Sequence, residues 1–135
     1  MNVLVDTCIW SLALRRKALQ QSPFIGELQE LIKEVRAQVI GGIRQEILSG
    51  IKSDKQFQLV KTHLSAFPDL TLSEQDYELA AEYFNLLRSK GIQGSNTDFL
   101  ICAVSTNARI PIFTLDNDFK FFQKHIPIQL HKIRQ

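Results

Sequence analysis

Five short apolar runs, each separated from the next by helical periodicity, constrain this chain more than any other feature. They are "NVLV" at 2–5, "QVIG" at 38–41, "DLTL" at 69–72, "PIFTL" at 111–115 and "IQLH" at 128–131. Runs this short and rich in β-branched residues read as buried strands. The intervals carry apolar residues three and four apart, the spacing of one helix face. One such stripe is Phe24, Leu28, Leu31, Ile32 and Val35, and another is Phe57, Val60 and Leu64. A third is Tyr77, Ala80, Ala81, Phe84 and Leu87, opened by a Ser73–Asp76 capping box and stopped at Gly91. A further helix begins near Thr97 and runs through "DFLICAVSTNA" to a stop before Pro111. Between these last two lies "RSKGIQGSN", 88–96, the most flexible-looking stretch. The resulting order is β-α-α-β-α-α-β-α-α-β-α-β. This predicts an α/β fold, a parallel sheet with crossover helices on both faces. Residues 1–135 read as a single domain, long enough to bury a sizeable core.

In a parallel sheet, ligands bind beyond the carboxyl ends of the strands, near the point where strand order reverses. Asp6 directly follows the first run, and Asp116, with Asp118 two residues on, follows the fourth. Glu46 lies one helical turn past the second run. Asp98 begins the helix that leads back into the fourth, so it starts at the same edge. Taken singly, Asp6, Asp98 and Asp116 fit helix N-caps or first-turn acids equally well. Asp118 reads as a cap or surface residue. Glu46 has Ile43 and Ile47 beside it on one face, which calls for a partner, either a shared cation or an arginine.

Several carboxylates in one place repel and take up protons unless a cation neutralises them. Oxygen donors without imidazole or thiolate select a hard ion, magnesium or manganese. No other catalytic apparatus competes. His63, His125 and His131 accompany no strand-end serine or cysteine. Cys8 and Cys102 have neither zinc spacing nor a disulfide framework, and read as packed reduced thiols. "DNDFKF" lacks the glycine and closing glutamate of a calcium loop. There is no phosphate-binding glycine loop, no signal peptide and no apolar run of membrane-spanning length. A cytoplasmic location is therefore expected. The net charge of +2 is too small to announce a nucleic-acid binder. Local basic clusters exist at Arg15, Arg16 and Lys17, at Arg88 and Lys90, and at Lys132 and Arg134. They suit phosphate contacts or plain solvated helix ends. The first cluster, near Asp6, is the one best placed to meet a substrate's phosphates.

At these residues the chain resembles the PIN-domain ribonucleases, in particular the VapC-type toxins of bacterial toxin–antitoxin modules. The matching pieces are "VLVDTCIW", the helix carrying Glu46, "NTDFLICA" and "IFTLDNDF". The resemblance implies a three-layer α/β/α domain whose sheet has about five strands in the order 3-2-1-4-5. It implies that Asp6, Glu46, Asp98 and Asp116 hold Mg2+ or Mn2+. It places Thr7, Asn96, Thr97 and Thr114 where small polar residues orient carboxylates or touch phosphate, with Asp118 as an additional acid. The implied activity is metal-dependent endoribonuclease action by the toxin of a type II toxin–antitoxin system. A cognate antitoxin and a homodimer are the implied partners. Relatives often carry Ser or Thr shortly before the helical glutamate. Here the stretch is "IGGIRQE", which leaves Glu46 without that support and Arg44 either near substrate or at a surface position. Trp10, Leu12 and Leu14 form either a partner groove or core. Two other readings share the strand-end acids: a phosphoacceptor receiver domain, and a non-catalytic binding protein on the same fold. The first expects an acidic pair after strand one and a lysine after the last strand, and neither is evident. A haloacid-dehalogenase phosphatase expects a second Asp where Cys8 stands.

Overall fold

The structure is a computed structural model that describes residues 1–15 and 22–134. Its elements are β1 (Val3–Val5), α1 (Thr7–Arg15), α2 (Pro23–Lys33), β2 (Ala37–Gln38), α3 (Gly41–Leu48), α4 (Asp54–Leu64), α5 (Glu74–Ser89), α6 (Asn96–Ala108), β3 (Ile112–Phe113) and α7 (Asp118–Gln123). β1 is central and parallel to both neighbours, with Val3 opposite Ala37 and Leu4 opposite Ile112. Successive strand side chains point to opposite faces. Val3, Leu4 and Val5 are all fully buried, so both faces of the sheet are covered.

The two remaining apolar runs pair through single residues. Asp69 bridges to Val39 and Leu130 to Ile112, both parallel. Counting these bridges, the order across the sheet is 3-2-1-4-5, as expected. Three runs form ladders, and the outer two, at the edges, pair through a single residue each. A short edge strand offers little unpaired backbone to other chains.

The helix faces differ from expectation in two places. On α5 the inward residues are Asp76, Ala80, Tyr83 and Leu87, while Ala81 is exposed and Tyr77 is 59% exposed. The Tyr83 hydroxyl meets Thr106 at 2.9 Å, and Asn107 Nδ2 donates to Asp76 at 2.8 Å. These bonds to α6 rotate polar-tipped side chains inward, which an apolar count cannot register. Val35 does not extend the α2 stripe. It lies just past the helix with φ 57° and is 83% exposed. Its N–H donates to Ile32 O (3.0 Å) and that of Arg36 to Leu31 O (2.9 Å), a Schellman turn closed by a β-branched residue.

The α5–α6 connection positions Asp98. Gly91, at φ 77°, closes α5 through bonds from Gly91 N–H to Arg88 O and from Ile92 N–H to Leu87 O, both 2.9 Å. Gly94 has no room for a side chain. A Cβ there would stand 2.9 Å from the rings of both Phe99 and Phe122. Those rings are buried and pack together at 5.1 Å, so they hold the chain just before α6. Trp10 is core. It is 1% exposed, donates from Nε1 to Val5 O at 3.0 Å and packs on Phe67.

Val35→Gly should raise stability by up to about 1 kcal/mol. It relieves an αL penalty of roughly 1–2 kcal/mol and gives back part of it as unfolded-state entropy. Gly94→Ala should lower stability by about 1–3 kcal/mol through overpacking. Denaturant melts of the two variants check both. A destabilised Val35→Gly or a neutral Gly94→Ala would contradict the backbone reading.

Candidate functional site

The carboxyl edge of the central strands is built around Asp6. Its N–H donates to Phe113 O at 2.9 Å, so the chain stays in register one residue beyond β1. Its Oδ1 accepts the Thr7 N–H at 2.7 Å. Its Oδ2 accepts the Thr114 hydroxyl at 2.7 Å and the Cys8 thiol at 3.4 Å. Thr114 Oγ1 also accepts the Asp116 N–H at 2.9 Å. A hydroxyl has one proton to give, so that of Thr114 is committed to Asp6, and the same oxygen fixes the turn carrying Asp116.

The other acids are anchored in different ways. Thr7 Oγ1 donates to Glu46 Oε1 at 2.6 Å, linking the first turn of α1 to α3. This supplies the support that "IGGIRQE" lacks. Ile43 and Ile47 are fully buried whereas Glu46 is exposed, so Glu46 lies at the margin of their face. Among the described residues it makes no arginine pair. Asp98 closes a capping box with Ser95, each backbone N–H donating to the other's side chain at 3.0 Å. It is thus both a cap and part of the cleft wall. The Asp116 carboxylate accepts the Asp118 N–H at 2.9 Å.

Asp6, Glu46, Asp98 and Asp116 line one open cleft of about 570 Å³, together with Thr7 and Thr97. No lysine, arginine or histidine among the described residues lines it. The pairs Thr7/Ser11 and Gln45/Ser49 add neutral donors. Ser11, Gln45 and Ser49 went unread; Ser11 lies four residues from Thr7 and Ser49 three from Glu46, helical spacings that carried a signal, whereas Gln45, next to Glu46, carried none. Among the described residues no three His, Cys, Asp or Glu side chains already stand in a closed coordination shell. The donor set nevertheless fits magnesium or manganese. It is all oxygen, and magnesium takes only one or two protein carboxylates and fills its shell with water and phosphate.

Burial pushes the Asp6 carboxyl above its ordinary range, outweighing the Thr114, Cys8 and Thr7 donors, and the Asp116 charge adds to the rise. Burial likewise raises Asp98 against its Ser95 bonds, with the Asp6 and Asp116 charges reinforcing it. Burial and then the Asp6 charge push the Cys8 thiol up to about 11, so that Cys8 enters the site as a protonated donor to Asp6. Cys102 is raised in the same direction by burial.

Several expected residues lie elsewhere. Asn96 opens into a neighbouring groove with Tyr77 and Phe84, which Thr97 also borders. Asp118 is exposed at the start of α7 and reaches the site only through its backbone N–H. Arg44 pairs with Asp69 at 2.9 Å and donates to the carbonyls of Leu64 and Phe67, so it ties α3 to the end of α4. Arg16, Lys17 and the side chain of Arg15 lie outside the described residues. Among the described residues no helix is long and apolar enough to cross a membrane.

The fold is shared with solved structures of other proteins. In structure the chain is similar to FitAcB from Neisseria gonorrhoeae, at TM-score 0.75 and 16% identity over 96% of both chains. It is similar to VapBC2 from Rickettsia felis bound to a promoter DNA fragment, at TM-score 0.74 and 18% identity, covering 97% of this chain and 98% of that one. VapBC-1 from nontypeable Haemophilus influenzae gives TM-score 0.71 and 16% identity over 97% of both chains. At such identities the likeness is one of fold. No curated protein is a match by sequence. The PIN domain family matches residues 3–124. With most of its length matched, this chain belongs to the PIN domain family.

Proposed function

We propose that the acid cleft hydrolyses RNA phosphodiester bonds with Mg2+ or Mn2+, and that the chain is the toxin of a type II toxin–antitoxin pair. The observation that carries this is the convergence of Asp6, Glu46, Asp98 and Asp116 on one cleft that no basic side chain among the described residues lines. PIN domains are generally nucleases and generally use divalent metals. The similar structures named VapBC support the toxin reading and a cognate antitoxin; a homodimer acting in the cytoplasm completes the proposal.

When bound, the ion supplies Lewis acidity, which lowers the pKa of water and offsets charge on the phosphoryl group. The chain's residues supply position. Thr114, the Thr7 amide and Cys8 fix the Asp6 carboxylate, and Thr7 turns Glu46 toward the cleft. Ser95 clamps Asp98, and the Asp118 amide holds Asp116. Thr97 borders the cleft as a neutral hydroxyl for phosphate contact. No side chain need act as a covalent nucleophile, so products should carry a 5′-phosphate and a 3′-hydroxyl.

Incubation of total RNA with wild type and with Asp6→Asn, with and without manganese, tests the reading. Cleavage should require manganese and fall roughly 100-fold or more in Asp6→Asn, as expected when the several kcal/mol an ion contributes is lost. Equal cleavage by the variant, or 2′,3′-cyclic phosphate ends, would overturn it. No cleavage by either protein would favour a non-catalytic binder.

The raised Asp6 and Asp98 carboxyls give a second test. A group whose folded pKa exceeds its unfolded value adds stability when protonated and loses it as pH rises through the folded pKa. Both groups therefore cost the metal-free protein stability at neutral pH. Manganese should raise the melting temperature at pH 7.5, and the rise should shrink as pH falls toward 5. Asp98→Asn should melt higher than wild type without metal and respond less to manganese. A lower metal-free melting temperature with an unchanged manganese response would contradict this.

A further inference from the structure

A second cleft, of about 880 Å³, adjoins the acid cleft and shares Asp116 with it. The two have opposite charge. The acid cleft holds four carboxylates and no cation among the described residues, whereas the second is lined by Lys120, Lys124 and Lys132 with Asp116 as its one acid. All three lysines are exposed. None makes an ion pair among the described residues, in contrast to Lys33, Arg36, Arg44 and Arg134, which each hold a carboxylate. Lys120 and Lys124 are one turn apart along α7 and its C-cap, so they share a side of the helix. Lys132 faces them from the C-terminal segment. That segment is fastened by a bond between His131 Nε2 and Glu27 Oε2 at 2.6 Å and by Arg134 Nε on Glu27 at 3.0 Å.

Phe24, Phe113 and Leu115 line the same cleft as the lysines. Phe24, half-buried, lies nearly parallel to Phe113 with ring centroids 6.1 Å apart, and Leu115 beside them is 38% exposed. Cations along a groove with an aromatic surface in it match a single-stranded nucleic acid, whose phosphates take the charges and whose unstacked bases take the ring faces. A duplex keeps its bases stacked and offers nothing to Phe24.

The geometry points to this cleft as the seat of the single-stranded RNA flanking the scissile phosphate. Lys120, Lys124 and Lys132 take its backbone and Phe24 takes a base, with the strand entering the acid cleft at Asp116. The assignment rests on the ribonuclease reading of that cleft and adds a binding track to it. It also places phosphate recognition on the β3–α7 side of the site.

The test is binding without cleavage. Fluorescence anisotropy of a labelled oligouridylate is followed against salt, with calcium replacing magnesium. The triple variant Lys120→Gln, Lys124→Gln, Lys132→Gln should bind about tenfold or more weakly at about 0.1 M salt. Its log–log salt slope should be shallower by about 2, from ~0.7 per lost phosphate contact on a single strand. The triple variant Lys52→Gln, Lys55→Gln, Lys61→Gln removes the same charge around α4 and should keep the wild-type slope. An unchanged slope in the first triple, or equal changes in both, would overturn the assignment. Poly-glutamate binding with the same lysine dependence, and no oligouridylate binding, would make the cleft a protein-docking surface and also overturn it. Because no cleavage is read, the outcome is separate from that of Asp6→Asn. Should that variant cleave like wild type while the first triple's slope becomes shallower, the catalytic reading falls, and the lysine-lined cleft keeps its RNA binding but not its place beside a scissile phosphate.

Discussion

The carboxylate of Asp6 stands at the end of a strand whose every side chain is buried, and much of the molecule answers to that placement. Burying a charged group is costly unless donors or an opposite charge compensate it. Thr114, the Thr7 amide and Cys8 each give Asp6 a hydrogen bond. Burial nevertheless still lifts its pKa, and the nearby Asp116 charge lifts it further. The residual cost is what a divalent cation would relieve. The same few side chains spread this constraint outward. Thr114 sets the turn of Asp116, and Thr7 reaches across to Glu46. The site is thus a network hung on one strand end, with α3 and α6 delivering the remaining acids to it.

The division of charge follows from the same topology. A nuclease must attract a polyanion toward a ring of carboxylates, two demands that conflict if met in one place. Here they are met in adjoining clefts that touch at Asp116. A net charge of +2 conceals this arrangement because the acids and lysines cancel in the sum. The lysine-lined wall is held by Glu27, a buried acid whose burial would raise its pKa but whose bonds from Arg134 and His131 bring it below the ordinary value. That ion-paired corner ties α2 to the C-terminal segment and belongs to the architecture of the basic cleft.

The order of elements and the meeting of the four acids were legible in the sequence for a shared reason. Short apolar runs and helix stripes fix where strands end, and in a parallel sheet those ends share an edge whatever the packing details. What escaped reading depends on contacts between residues distant in the chain. Thr7 and Thr114 stand where carboxylate-orienting residues were expected, but which acid each holds was not foreseen: Thr7 reaches Glu46 across 39 residues and Thr114 reaches Asp6 across 108. Arg44 could have faced substrate on sequence grounds, yet Asp69 and two carbonyls claim it. Tyr83 and Asp76 face inward because α6 offers them Thr106 and Asn107, a fact absent from the periodicity of α5. Lys132 and Arg134 read as one surface cluster, but Arg134 binds Glu27 and Glu34 while Lys132 faces the cleft.

The central claim is that these four carboxylates form a single cation site on a fold built to deliver them. Anomalous diffraction from crystals soaked in manganese tests it most directly. The account predicts a manganese peak in the acid cleft, with oxygens of Asp6 and at least one of Glu46, Asp98 and Asp116 among its direct or water-bridged ligands. A cleft without a peak at saturating manganese, or a fully occupied site elsewhere on the chain, would contradict it.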